Sequence, residues 1–544
     1  MKQTEAPKGW LPVRDGEWPL VLATGTFAFL AVAFAITLRT WSDAVFLTTF
    51  DASWIPWLFV ASALVFVPAT LCYAWLAPRI GAIWLNTLLL TLFVAAMFVS
   101  MRLAQGAFGV FVAVLAMQVI SPLANVIAWN TILDRIDNRQ ARRLLPVIGG
   151  ISTLGAISAG VVGGEMAARI GNDSLLWIGV YLLCAMVPLP LALAVSRERR
   201  IQRYGPDIRS VLRSLTANRL IGTVAIATFL MALTTNVIDY QFKVFVQDEL
   251  APESLGVFFG RFHGATNFAV LLVQFFVAPI VMRRFGVGFS FALHPVIVLL
   301  GTALTLFVPV LAAIVMLRFA DTLLKFTFHK NSNDLALTPV PAHDRHQAMV
   351  FIKGIVYPLG GIAAGLLLWM SNLLGFDAMS AGGFLVLGIG SSWFVMTRRV
   401  RMQYVQQIGE KLSIEVHPVR RPAPDPGPAS LMRELQRLVR EIRELQRRMR
   451  LQAEPEIGTA ITEALDRLFE TLGKLIGDPH AVGEAAQRYL HGSGSERAYA
   501  VELLDTLLDT HRVPAATDLL DSLLRDRSRG LLYQRRARND SGLH

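Results

Sequence analysis

The chain has 544 residues, 54% of them hydrophobic and 17% charged, where soluble domains carry roughly one quarter charged residues. That balance excludes an ordinary water-soluble enzyme and makes a bilayer the expected solvent. The net charge of +11 sits largely in connections between apolar blocks and in a basic tail, so it calls for no nucleic-acid partner.

In chain order, Met1 to Trp18 carries Lys2, Lys8 and Arg14 without a small-residue cleavage site, and reads as a cytoplasmic segment before an uncleaved first span. Apolar blocks follow near 19–38, 54–76, 83–101, 106–128, 145–168, 175–195, 218–238, 257–282, 288–308, 310–329, 348–371 and 379–396. Each runs near the roughly 20 residues that a helix needs to cross a membrane, too long and too evenly apolar for barrel strands. Cys72 and Cys184 lie inside these blocks and read as inert packing residues.

Lys and Arg near span ends resist translocation. One series of connections holds Arg79, then Arg135 to Arg143, Arg197 to Arg213, and Arg283 with Arg284; the alternate series holds little beyond Arg39, Arg102, Arg169 and Lys243. This places both termini in the cytoplasm of a bacterial inner membrane. The expected organisation is an amino terminus at 1–18, a first six-helix half at 19–195, a basic connection at 196–217 and a second half at 218–396. A basic, Pro-rich linker at 397–428, a helical tail at 429–525 and a disordered end at 526–544 complete it.

The two halves carry an internal repeat. R-(I/F)-G occurs at 79–81 and 284–286, and GAISAG at 155–160 matches GGIAAG at 360–365, all at an offset of 205. The fold class is therefore an all-α polytopic membrane protein of about twelve helices in two parallel six-helix repeats. That is the arrangement of major-facilitator-type transporters, whose halves rock about a midplane site.

An ionisable group inside a span costs roughly 2.5–3.5 kcal/mol on insertion scales, and an i,i+4 ion pair returns only about 0.2–0.5 kcal/mol. Such residues should face a wet cavity or the bundle interior. Arg39 and Asp43 are spaced i,i+4 at the end of span one, and Asp239 with Lys243 repeats the spacing with signs exchanged at the end of span seven. These four read as gate or interface pairs. Arg318, Asp321 and Lys325 share one face of span ten, followed by Lys330 and Asn331, with Lys353 early in span eleven. These six are candidates for contact with substrate or coupling ion. His263 and His294 read as packing or hydrogen-bonding residues, and Glu165 near the outer end of span five is ambiguous. No phosphate-binding glycine loop, zinc-type H-E-x-x-H or nucleophile elbow occurs, so no enzyme, cofactor or metal is expected.

Several stretches resemble the plastid and bacterial ATP/ADP translocases, more closely their bacterial relatives with HEAT-like tails. They are LRTWSDAVFLTTF at 38–50, RQARRLLPVIGGISTLGAISAG at 139–160, DYQFKVFV at 239–246, FFGRF at 258–262, MRRFG at 282–286 and NSNDLALTPVPAHDRHQAMVFIKGIVYPLGG at 331–361. The family's R-D-x-K-D pattern stands here as Arg39-Thr40-Trp41-Ser42-Asp43, and its G-K-A-A as Ala348-Met349-Val350-Phe351, with Lys353 close by. The resemblance implies a secondary transporter of a nucleotide or another organic anion. Two other classes stand beside it: a non-transporting anchor or receptor whose tail recruits a cytoplasmic partner, and a proton-coupled exporter.

In the tail, Leu431, Leu435, Leu438, Ile442, Leu445 and Met449 form an a/d seam. It would pair two copies as a coiled coil, or pack on other helices of the same tail. ERAYAVELLDTLLD at 496–509 resembles a HEAT-type helix.

Overall fold

The computed structural model describes residues 17–136, 138–195, 218–340, 342–411, 428–451, 455–476 and 478–491, with Val13, Ala500, Leu503 and Leu504. Among these residues the chain is helical throughout, without a strand. Eleven helices are long and apolar enough to cross a membrane. Spans one to six are Trp18–Thr49, Ile55–Ile80, Ala82–Leu103, Ala107–Leu133, Asn138–Ile170 and Asp173–Leu193. Spans seven, eight, nine, eleven and twelve are Arg219–Glu249, Pro252–Met282, Phe289–Phe307, Gln347–Leu373 and Ala378–Lys411. Span ten runs from Leu311–Leu324 through a π turn at Lys325–His329 into Lys330–Ala336. It falls outside the eleven because Arg318, Asp321, Lys325 and Lys330 charge it throughout.

By contact the chain divides into two units. One comprises Met1–Ala278, Leu293–Asn331 and Ala342–Met396; the other comprises Pro279–Ala292, Ser332–Pro341 and Thr397–His544.

Within the first unit the repeat is visible in the helix ends. Span one stops at Thr49 and span seven at Glu249, one-turn helices follow at Ala52–Trp54 and Pro252–Ser254, and the next helices start at Ile55 and Leu255, each pair 200 residues apart. The matched glycines have matched neighbours. A Cβ on Gly155 would strike the Phe29 carbonyl of span one, and a Cβ on Gly360 the Phe229 carbonyl of span seven. Spans five and eight cross more tightly still, because Gly160 and Gly164 lie directly against Gly260 and Gly264, backbone to backbone. Buried polar groups are tied: Tyr73 donates to Asn86 Oδ1 at 3.0 Å, and Asn86 donates to Thr131 Oγ1 at 2.9 Å, linking spans two, three and four.

Two sequence expectations change. Spans one and seven run about ten residues beyond the apolar blocks that predict them, because the charges that end each block are buried and paired, so the helix continues across them. Cys72 and Cys184 are exposed, not packed, since a membrane helix is apolar on its lipid side as well and hydropathy alone does not mark the inner face.

In the second unit, the tail helices Pro428–Leu451, Pro455–Ile476 and Pro479–His491 pack in sequence. Leu431, Leu435, Leu438 and Ile442 are buried, as are Leu465, Leu468 and Leu472 of the following helix. The first four residues of the a/d seam are thus buried within the tail, and Leu445 is half-buried. The basic connection at 196–217, the linker from 412 to 427, most of the HEAT-like stretch and the end at 526–544 lie outside the described residues.

The crossing of spans five and eight makes a direct prediction. Gly160→Ala or Gly260→Ala should destabilise the protein by about 1–3 kcal/mol through overpacking, whereas Gly388→Ala, which meets open space, should not. Melting temperatures of the detergent-purified variants check this.

Candidate functional site

Spans one and seven meet through side chains toward their C-terminal ends, and span ten joins them there. Lys243 Nζ lies 2.7 Å from Asp43 Oδ1 and 2.9 Å from Asp239 Oδ2. Arg39 Nη2 donates to Asp239 Oδ1 at 3.3 Å, and its Nε is 3.7 Å from Asp43 Oδ2. From span ten, Arg318 donates through Nη2 to Asp239 Oδ1 at 2.5 Å and through Nη1 to Asp321 Oδ2 at 2.8 Å. Asp321 also accepts from Thr235 Oγ1 at 3.1 Å and pairs with His294 Nε2 at 3.1 Å. His263 Nε2 stands 3.7 Å from Asp43 Oδ2.

The balance of this network explains how it survives burial. Arg39, Lys243 and Arg318 carry three positive charges, and Asp43, Asp239 and Asp321 carry three negative ones. Five of the six side chains are at most 9% exposed, and Arg39 is 38% exposed. A buried charge is tolerated where it is paired and hydrogen-bonded, and every member here has at least two partners of opposite sign or hydrogen-bonding character.

The pairing follows the repeat. Arg39 corresponds to Asp239 and Asp43 to Lys243, each at an offset of 200, and each residue bonds its own counterpart. The exchanged signs noted in the sequence are what make contact between equivalent positions attractive. The same end of the pair is closed by Gln247, whose amide donates to the carbonyls of Leu47 at 2.7 Å and Phe50 at 2.8 Å and accepts from Ala52 N at 2.8 Å. A side chain of span seven thereby satisfies carbonyls that the end of span one would leave unpaired. The rings of Phe242, Phe259 and Phe262 cluster next to His263, which stacks on Phe259 at 6.4 Å and meets Phe262 edge-on at 5.7 Å.

The sequence separates four gate residues from six substrate candidates; the structure groups them differently. Arg318 and Asp321 join Arg39, Asp43, Asp239 and Lys243 in one network. Lys325 stands apart, half-buried, donating to Tyr357 Oη of span eleven at 2.6 Å with its ammonium 4.9 Å from that ring. It has no carboxylate within ion-pair distance among the described residues. Lys330 and Lys353 are exposed, and Lys353 sits in a second π turn, Ile352–Val356. Asn331's side chain lies outside the described residues. π turns insert an extra residue into a helix and often mark functional positions; here two of them carry Lys325 and Lys353.

Sequence reasoning left out Thr235, Gln247 and Tyr357, and it read His294 as a packing or hydrogen-bonding residue without naming its partner. His294 is wholly buried, bonded to Asp321, with its ring 5.8 Å from that of His329 and 4.7 Å from that of Trp393. Nothing in a lone histidine 27 positions from an aspartate announces the pairing, because it arises only from how spans nine and ten pack.

No protein-family model matches the chain, and no curated protein matches it in sequence. Among solved structures, the nucleoside transporter NupG is similar at a TM-score of 0.54 and 16% identity, over 71% of this chain and 99% of that one. An auto-inhibited peptide transporter of the POT family is similar at 0.52 and 11% identity, over 74% of this chain and 98% of that one. These likenesses show the fold, a polytopic bundle of helices shared with both of those proteins.

Removing Asp239, the carboxylate that three cations share, should cost about 3–5 kcal/mol because it leaves buried charges uncompensated. Asp43→Asn or Lys243→Met alone should destabilise comparably, and because the two residues are paired at 2.7 Å, the double substitution Asp43→Asn with Lys243→Met should cost less than the sum of the two. A double-mutant cycle on melting temperature reads the coupling.

Proposed function

We propose that the chain is a secondary transporter that works by alternating access, with the six-charge network as the gate between its two halves. The observation that carries this reading is the bonding of Arg39 to Asp239 and of Asp43 to Lys243, counterparts in the repeat. Ion pairs between equivalent positions of two rocking halves hold one end shut and can be exchanged for water when that end opens. On the positive-inside reading of the basic connections, spans one and seven start in the cytoplasm, and the shut end is the periplasmic one because the network lies toward their far ends.

The substrate we infer is an organic anion, with a nucleotide or nucleoside phosphate as the leading class. The network is electrically balanced without Lys325, and this ammonium, one helical turn beyond Asp321 and with no carboxylate at ion-pair distance among the described residues, is placed to meet an anion. The resemblance of residues 38–50, 139–160 and 331–361 to ATP/ADP translocases supports that class, and NupG, a nucleoside transporter by its description, shares the fold. His294 against Asp321 supplies a second element. A proton added to this pair would disturb the balance that holds Arg318 between Asp321 and Asp239, which links proton uptake to gate opening.

A thermal-shift screen of the purified protein against nucleotides, other phosphate compounds, amino acids and polyamines tests the substrate class, since a ligand that binds only the folded state raises its apparent stability. A nucleotide shift that Lys325→Ala abolishes supports the assignment; a response confined to amines or amino acids rejects it. In proteoliposomes, Asp321→Asn should abolish uptake at normal expression, and unchanged uptake would remove Asp321 from the mechanism.

A further inference from the structure

Away from the gate, the crossing of spans five and eight carries a second charged group. Glu165 lies between two guanidinium groups, with Oε2 3.6 Å from Arg169 Nε and Oε1 3.7 Å from Arg261 Nη2. The three side chains are 50%, 76% and 68% exposed. Two cations share one carboxylate, so the group keeps a net positive charge. Both contacts are longer than the roughly 2.7–2.9 Å of a charge-assisted hydrogen bond, so the guanidinium N–H groups still have donors to offer.

The position matters as much as the charge. Glu165 is five residues from the end of span five at Ile170, and Arg261 is six residues from the start of the helix at Leu255. At 1.5 Å per residue both lie within about 10 Å of the helix ends that meet at this crossing. From this charged mouth a groove of about 360 Å³ runs inward between the two helices, floored by Ile157, Val161, Gly264, Ala265 and Phe268. The floor from Glu165 back to Ile157 is about 12 Å long. Val161 and Phe268 are half-exposed there, a surface suited to an acyl chain.

We propose that this groove is a phospholipid site: a glycerophospholipid of the surrounding bilayer places its phosphate on Arg261 and Arg169 and lays one acyl chain along Val161, Ala265 and Phe268. A phosphate diester supplies the single negative charge that the trio lacks, and the apolar floor rewards the chain that comes with it. The occupant thus sits on the Gly160–Gly264 crossing, at the junction of the two halves.

Native mass spectrometry of the full-length protein tests this, released from micelles containing equal amounts of a phosphatidylethanolamine and a diacylglycerol with the same chains. The wild type should retain a phospholipid and not the diacylglycerol. Arg169→Gln with Arg261→Gln should lower phospholipid retention roughly tenfold, as expected for losing charge-assisted contacts. Ala265→Trp, which fills the groove and leaves the arginines in place, should lower it as well. Equal retention of diacylglycerol by the wild type, or undiminished phospholipid retention in either variant, would overturn the proposal, since the bound lipid would then be held by general apolar contact or elsewhere.

Discussion

A charge placed in the core of a membrane bundle must be matched there, and the arrangement of this molecule around spans one, seven and ten follows from that requirement. Three carboxylates and three cations come from three helices, one of each sign from each, and the ion pairs run between the helices as well as within them, so no helix can leave the group without breaking several of them. Asp239 shows the dependence most clearly, because Arg39, Lys243 and Arg318 all meet on it. The aromatic rings of Phe242, Phe259 and Phe262 and the cap that Gln247 places on span one are consistent with this closure.

Around this point the fold divides its labour between contacts that are fixed and contacts that can be exchanged. Glycine meeting glycine at spans five and eight, and Gly365 against the Pro56 carbonyl between spans eleven and two, bring backbones together with no side chain to reorganise. Such surfaces suit elements that must stay in register while they tilt. The charged pairs, by contrast, can trade partners with water. π turns in spans ten and eleven add a third element, since they widen the helix at Lys325 and at Lys353.

Much of this was legible in the sequence, for identifiable reasons. The apolar blocks gave the spans because lipid leaves a long, continuous signal, and the 205-residue offset gave the repeat because close backbone contact admits few substitutes for glycine. The charged candidates could be named because their cost in a bilayer is high enough to demand a purpose. Their partners could not. That Arg318 reaches Asp239, and that His294 reaches Asp321, depends on how four helices are rotated about their axes, and one-dimensional spacing constrains neighbours only within a helix. The ends of spans one and seven were misplaced for the same reason: a charge looks like a boundary until the opposite charge across the interface is known. In the tail, a heptad seam is the same pattern whether its cover is a second chain or the next helix of its own, and spacing alone does not separate the two.

The sign exchange between counterparts also bears on how such a chain could have been assembled. Two copies of the first half, brought together as the halves are here, would set Arg39 against Arg39 and Asp43 against Asp43, and two copies of the second would set Asp239 against Asp239 and Lys243 against Lys243. Each like-with-like assembly is repelled at its centre, while the unlike one is held by at least two ion pairs. If the halves descend from a unit that once paired with itself, the swap of charges is the step that made fusion irreversible, because after it neither half can do without the other.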